Sequence, residues 1–256
     1  METIRDTLPA PGSGPDGLCA GCRHQGDSLV AGRCRPGDAC VRAESGRQID
    51  RFFRAEPAMA VAYLDDGFWE RRAIAVRYAP LEAVRELAKD RDEVVRRAVA
   101  MRLPPDELIA MRRDPDREVR ITVAQRIAPD DLLKLADDPD YMVRIVVVRR
   151  LPHGKLARLA GDPEREVRKT VARRLPSFAL ARLLGDPEAE VRRIVAARAL
   201  PEDARRLLAD PDWTVRLAAA GRAPLDDVRI LLNDPEADVR HAAWARLAAN
   251  RSHLEP

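Results

Sequence analysis

The dipeptide Asp-Pro recurs at Asp114, Asp138, Asp162, Asp186, Asp210 and Asp234, always 24 residues apart. Stepping back by the same interval reaches Asp90 and Asp66, which are followed by Arg91 and Gly67. Six residues after each aspartate stands an arginine: Arg72, Arg96, Arg120, Arg144, Arg168, Arg192, Arg216 and Arg240. A strict period of this length is the signature of a repeat architecture, in which each unit is too small to bury its own apolar face and stacks on its neighbours.

Apolar columns share the register. Val95, Val119, Val143, Val167, Val191, Val215 and Val239 form one, and Val99, Val123, Val147, Val171 and Val195 form another. Leucine pairs three apart, such as Leu132 with Leu135 and Leu156 with Leu159, form a third. Valines four apart predict one face of an α-helix. The Asp-Pro dipeptide predicts its start, with aspartate as N-cap and proline in the first turn. A second proline in each unit (Pro80, Pro104, Pro129, Pro152, Pro176, Pro201, Pro224) limits that helix to about 12 residues. The remaining nine or so residues fit a short helix of three residues per turn, and they lack the alternation of a strand. Each unit is therefore expected to be one α-helix plus one short helix. Eight units should stack between about residues 56 and 247, with atypical ends marked by Tyr63, Phe68 and Trp69 and by Trp244 with the polar tail containing His253.

The period, the leucine pair and the Asp-Pro/Val-Arg/Val-Ala core resemble the leucine-rich repeat variant family. The resemblance implies an all-α, right-handed superhelical solenoid in which α-helices alternate with 3₁₀-helices. HEAT repeats share the D-x-x-x-x-V-R element, but at about 40 residues they have two full helices, for which a 24-residue unit has no room. Ordinary leucine-rich repeats need an L-x-x-L-x-L strand that is absent here.

All four cysteines fall in Cys19-Ala-Gly-Cys22, Cys34 and Cys40, a C-x2-C-x11-C-x5-C spacing. Residues 9–48 have few large apolar side chains, so something other than hydrophobic burial must order them. Disulfides suit exported domains, whereas the N-terminus shows no signal-peptide core. Zinc takes four thiolates, usually from two short knuckles. An iron–sulfur cluster also takes four cysteines and tolerates variable spacing. Spacing leaves these open. The family resemblance favours the last, because a leucine-rich repeat variant protein with an N-terminal iron–sulfur domain is known. It implies a 4Fe–4S cluster on Cys19, Cys22, Cys34 and Cys40. Arg23, Arg33, Arg35 and Arg42 flank these residues as candidates to offset its charge, and His24 is a spare donor. The expected division is residues 1–50 for the metal domain and 51–256 for the repeats.

A second arginine column runs through Arg102, Arg126, Arg150, Arg174, Arg198, Arg222 and Arg246, with Tyr78 in the first position. Two solvent-facing columns would suit nucleic-acid phosphates. As scaffold, the first column would bridge to carboxylates of the adjacent unit and the second would bond free helix-terminal carbonyls. Charge favours scaffold: 45 basic against 42 acidic residues leave only +3. No constellation of catalytic residues is evident, and His153, His241 and His253 are isolated. The expectation is a cytoplasmic, non-enzymatic scaffold that binds a protein partner and carries a redox-active or redox-sensing 4Fe–4S cluster. Nucleic-acid binding and electron transfer are the alternatives. No apolar stretch is long enough to span a membrane.

Overall fold

The computed structural model describes residue 17 and residues 19–251; the tail from residue 252, including His253, lies outside them. The chain divides into two compact units, Met1–Ile127 and Ala128–Pro256. In the first, α-helices Gly46–Ala55, Trp69–Tyr78, Glu93–Ala100 and Arg117–Arg126 alternate with short segments, including the 3₁₀-helices Pro57–Tyr63 and Leu108–Met111. In the second, Tyr141–Arg150, Arg165–Arg174, Ala189–Arg198, Trp213–Ala220 and Ala237–Arg251 alternate with shorter helices, among them the 3₁₀-helices Pro129–Leu135, His153–Leu159 and Ser177–Leu183. Among the described residues the β-structure is a single bridge, Arg35 to Ala39, outside the repeats. No described helix is long and apolar enough to cross a membrane.

The valine columns form the core within each unit. Val95, Val99, Val119 and Val123 are fully buried in the first, as are Val143, Val147, Val167, Val171, Val191 and Val195 in the second. Each such side chain contributes about 1.5–3 kcal/mol relative to an exposed one. Leu156, Leu159, Leu180 and Leu183 complete the core from the short helices, whose three-residue turn brings side chains three apart onto one face.

The helix starts differ from the sequence reading. Asp114 is not the N-cap; Asp116, two residues later, is, and its carboxylate accepts from Val119 N. Asp92, Asp140 and Asp212 also cap their helices, each accepting the N–H two residues on. The Asp-Pro aspartate instead accepts the N–H two residues on, as Asp114 does from Asp116 N at 2.9 Å, tightening the entry turn. Acidic residues stand at both positions, so the sequence did not reveal which one caps. Its carboxylate has a second function. Asp186 accepts both Nε and Nη2 of Arg168 from the preceding repeat, at 2.7 and 3.0 Å. The Nη1 of Arg168 bonds the carbonyls of Asp162 and Pro163 in its own repeat. Arg72–Asp90 and Arg96–Asp114 repeat this fork in the first unit, and Arg144–Asp162, Arg192–Asp210 and Arg216–Asp234 in the second.

The second arginine column binds helix-terminal carbonyls, and these belong to the preceding repeat. Arg126 Nη1 donates to Ala100 O at 2.5 Å and Leu103 O at 2.9 Å. Arg102 does the same to Val76 and Ala79, and Arg198 to Ala172 and Leu175. These carbonyls lie at helix C-termini, where helical hydrogen bonding leaves acceptors unmet.

Arg168→Met leaves Asp186, with its side chain 2% exposed, as an unpaired buried charge and should cost about 3–5 kcal/mol. Arg158→Met breaks an exposed pair with Asp137 and should cost less than about 1 kcal/mol. Urea unfolding followed by circular dichroism measures both, and equal losses would contradict a buried ladder. The ladder also sets an acid limit. Burial opposes ionisation of Asp90, but the Arg72 fork and Asp92 N–H outweigh it and hold the carboxyl below its ordinary 3.8. The Arg216 fork, against opposing burial, does the same for Asp234. The unfolded chain therefore binds more protons, and this stabilisation is complete above the ordinary value and lost as pH falls through the folded values. The urea midpoint should fall at pH 3 relative to pH 5, and by less in Arg216→Met; a midpoint that holds or rises on acidification refutes this account.

Candidate metal centre

The cysteine segment is a succession of turns. Gly21 has φ +66°, a left-handed conformation that favours glycine, and sits where Cys22 N returns to Cys19 O at 3.1 Å. Gly37, at φ +82°, lies in the turn closed by Arg35 N to Ala39 O at 2.7 Å. Cys34 N donates to Ser28 O, and Cys40 N donates to Gln48 O in the following helix. In that helix, Gly46–Ala55, Ile49, Phe52 and Phe53 are fully buried, and Phe52 packs on His24 of the cysteine segment.

All four cysteines are free thiols. Cys19, Cys34 and Cys40 are buried and Cys22 is half-buried. Cys34 donates a hydrogen bond to Cys40, which holds the Cys34 thiol well above its usual range; burial and the other three cysteines push the same way. That bond lowers Cys40 against opposing burial, helped by the backbone N–H groups of Arg42 and Ala43 and by the Arg42 guanidinium. Burial raises Cys19, reinforced by repulsion from Cys40 and Cys22, while Arg42 opposes. The thiols thus share one electrostatic neighbourhood. Among the described residues no three His, Cys, Asp or Glu side chains gather into a single-ion site.

Of the four flanking arginines, Arg42 alone lowers these thiols. Arg42 also donates to Ala20 O at 2.7 Å, inside the first cysteine loop. Arg33 pairs with Glu56, Arg35 with Asp38, and Arg23 lies 4.4 Å over the Tyr63 ring. His24 is buried with Nε2 2.7 Å from the Tyr63 hydroxyl and its ring 4.8 Å from Phe52. Burial, reinforced by Arg23, pushes its pKa below the ordinary value, and its ring nitrogen is engaged by tyrosine.

The sequence reading missed this clamp and took Tyr63 only as an atypical end residue. The available signal was the crowding of aromatics: Phe52, Phe53, Tyr63, Phe68, Trp69 and Tyr78 are six of ten in the chain. The donor chemistry fits a thiolate-bound inorganic centre. Cys19 and Cys34 are both pushed up by neighbouring cysteines, and positive charge placed among the thiols relieves that repulsion. Cys19, Cys22, Cys34 and Cys40 are the residues that would hold it.

Comparison with known proteins agrees. The family described as the LRV protein FeS4 cluster matches residues 13–62, and the leucine-rich repeat variant matches residues 117–140 and 165–188. A solved structure described as a leucine-rich repeat variant with a novel repetitive protein structural motif is 56% identical. It covers 90% of this chain and 98% of its own, with a TM-score of 0.84. An uncharacterized 27.7 kDa protein in the nifB 3′ region of Rhodobacter capsulatus is 40% identical over 86 residues. That match covers 34% of this chain and about a third of the curated relative, 35%. The chain belongs to the leucine-rich repeat variant family, a helical repeat solenoid, and carries that family's iron–sulfur cluster domain.

Proposed function

We propose that the chain is a cytoplasmic, non-enzymatic protein-interaction scaffold whose Cys19, Cys22, Cys34 and Cys40 hold a 4Fe–4S cluster. The observation that carries this reading is four free thiols, three of them buried, in one electrostatic neighbourhood, with the Arg42 guanidinium acting on Cys19 and Cys40. Free thiols and an oxidation-sensitive centre suit a reducing compartment. A bound cluster supplies one-electron redox chemistry. The chain's own residues order the C-x2-C loop through Arg42 and anchor the segment through His24, which packs on Phe52 and bonds Tyr63.

The repeats support the scaffold half of the reading. Their two arginine columns are occupied within each unit by neighbouring carboxylates and carbonyls, so they provide no free phosphate-binding stripe. Half-exposed Cys22 favours a second reading, electron transfer, because it leaves one thiol accessible from solvent. A reversible redox couple with the cluster intact distinguishes that reading; cluster breakdown on oxidation marks a sensor.

Anaerobically purified protein should be brown and contain about four irons and four sulfides per chain. Cys34→Ser and Cys40→Ser should lose iron while the repeats retain their helical circular dichroism. A colourless protein with one zinc per chain overturns the cluster, and metal-free protein with oxidised cysteines overturns any metal centre.

A further inference from the structure

In the second unit, helices Arg165–Arg174, Ala189–Arg198 and Trp213–Ala220 form a groove of about 550 Å³. Its lining combines apolar Ile194, Leu217 and Ala218 with Trp213 and the guanidiniums of Arg173 and Arg193. Trp213 is 39% exposed, so more than half of its surface is already covered. The lining positions follow the repeat register: Arg193 and Leu217 are one residue after a ladder arginine, and Arg173 is five after. None of these positions participates in the ladder.

The charge on this face is unmatched. Among the described residues, exposed Arg149, Arg173 and Arg193 have neither an ion-pair nor a hydrogen-bond partner. Glu166 and Glu190, in the column two residues before the ladder arginines, are both bound by Lys169, at 3.0 and 2.5 Å. Arg193 feels Glu190 only as a nearby charge. Elsewhere in this unit Arg168 and Arg192 have their carboxylates at 2.7 Å.

We propose that this groove binds an extended acidic segment of a partner protein, with one bulky apolar residue lodged beside Trp213 and carboxylates on Arg173 and Arg193. This rests on the scaffold reading and specifies its surface. Guanidiniums bind carboxylates through paired hydrogen bonds, and an apolar lining between two of them selects a side chain rather than a bare anion. A nucleic-acid strand fits less well. A half-covered Trp213 is a poor stacking platform for a base.

The test pans a displayed random peptide library against the intact, anaerobically purified chain and measures the selected peptides by fluorescence anisotropy. The expected winners carry Asp or Glu around one Leu, Phe or Trp. They should lose about tenfold or more in affinity for Arg173→Glu/Arg193→Glu, whose exposed positions leave the fold intact by circular dichroism. Winners lacking acidic residues, or binding that double variant unchanged, overturn the groove while leaving a scaffold with another surface. No winners above background overturn the groove and the scaffold reading together. Tighter binding of a 12-nucleotide single strand, lost in the same variant, replaces the peptide with nucleic acid.

Discussion

The repeats depend on a carboxylate that is used twice. Each Asp-Pro aspartate closes the turn before its own helix and accepts the forked guanidinium of the preceding repeat, as Asp186 does from Glu188 N and Arg168. That arginine in turn holds the loop carbonyls of its own repeat. Turn, helix start and stacking contact therefore share one set of atoms. An insertion anywhere in the unit would move the arginine relative to the next aspartate, which accounts physically for the absence of length variation. Burying such pairs carries a desolvation cost that their attraction roughly offsets. Net stability comes mainly from the valine and leucine columns, and the ion pairs contribute register.

The first repeat shows what happens where the pattern meets something else. Position 78, where later repeats have arginine, is tyrosine, and its hydroxyl donates to the Asp50 carboxylate at 2.9 Å. Asp50 belongs to Gly46–Ala55, the helix that also buries Phe52 and Phe53 and follows the cysteine loops. Phe53 packs edge-on to Tyr63 at 5.5 Å, and Tyr63 contacts both Arg23 and His24. Large rings and the Tyr78–Asp50 bond take the place of repeat-to-repeat arginine contacts here. The cysteine segment, poor in large apolar residues, borrows its core from the helix that follows it.

How far the sequence could be read depended on which interactions leave a periodic trace. The α-helix with its 3₁₀ partner, the buried valine columns and the arginine-to-carboxylate bridge all recur every 24 residues and were legible. Asp116 was not legible as the cap, because Asp114 and Asp116 are both acceptable N-cap residues and only backbone geometry assigns them. That the second column bonds helix-terminal carbonyls was legible, but not that those bound by Arg126 belong to the preceding repeat, because a column position does not say which repeat the side chain faces. At the metal centre the four cysteines were evident. The singular contacts were not: Arg42 was one of four equivalent-looking arginines, and His24 looked like a spare ligand until Tyr63 was seen beside it.

The same logic separates structure from function within the repeats. A position constrained by stacking must be nearly identical in every unit, as the ladder arginines are. A position free of stacking can differ from unit to unit, and a binding surface must differ if it is to select one partner at one place. Five residues beyond the ladder the sequence varies through Arg77, Met101, Gln125, Arg149, Arg173 and Ala197. One residue beyond, it runs Ala73, Arg97, Ile121, Ile145, Lys169, Arg193 and Leu217. These irregular columns supply the unpaired guanidiniums and the apolar lining of the groove beside Trp213. The arginines most conspicuous in the sequence are thus the least available for a partner, because the regularity that makes them conspicuous is produced by stacking.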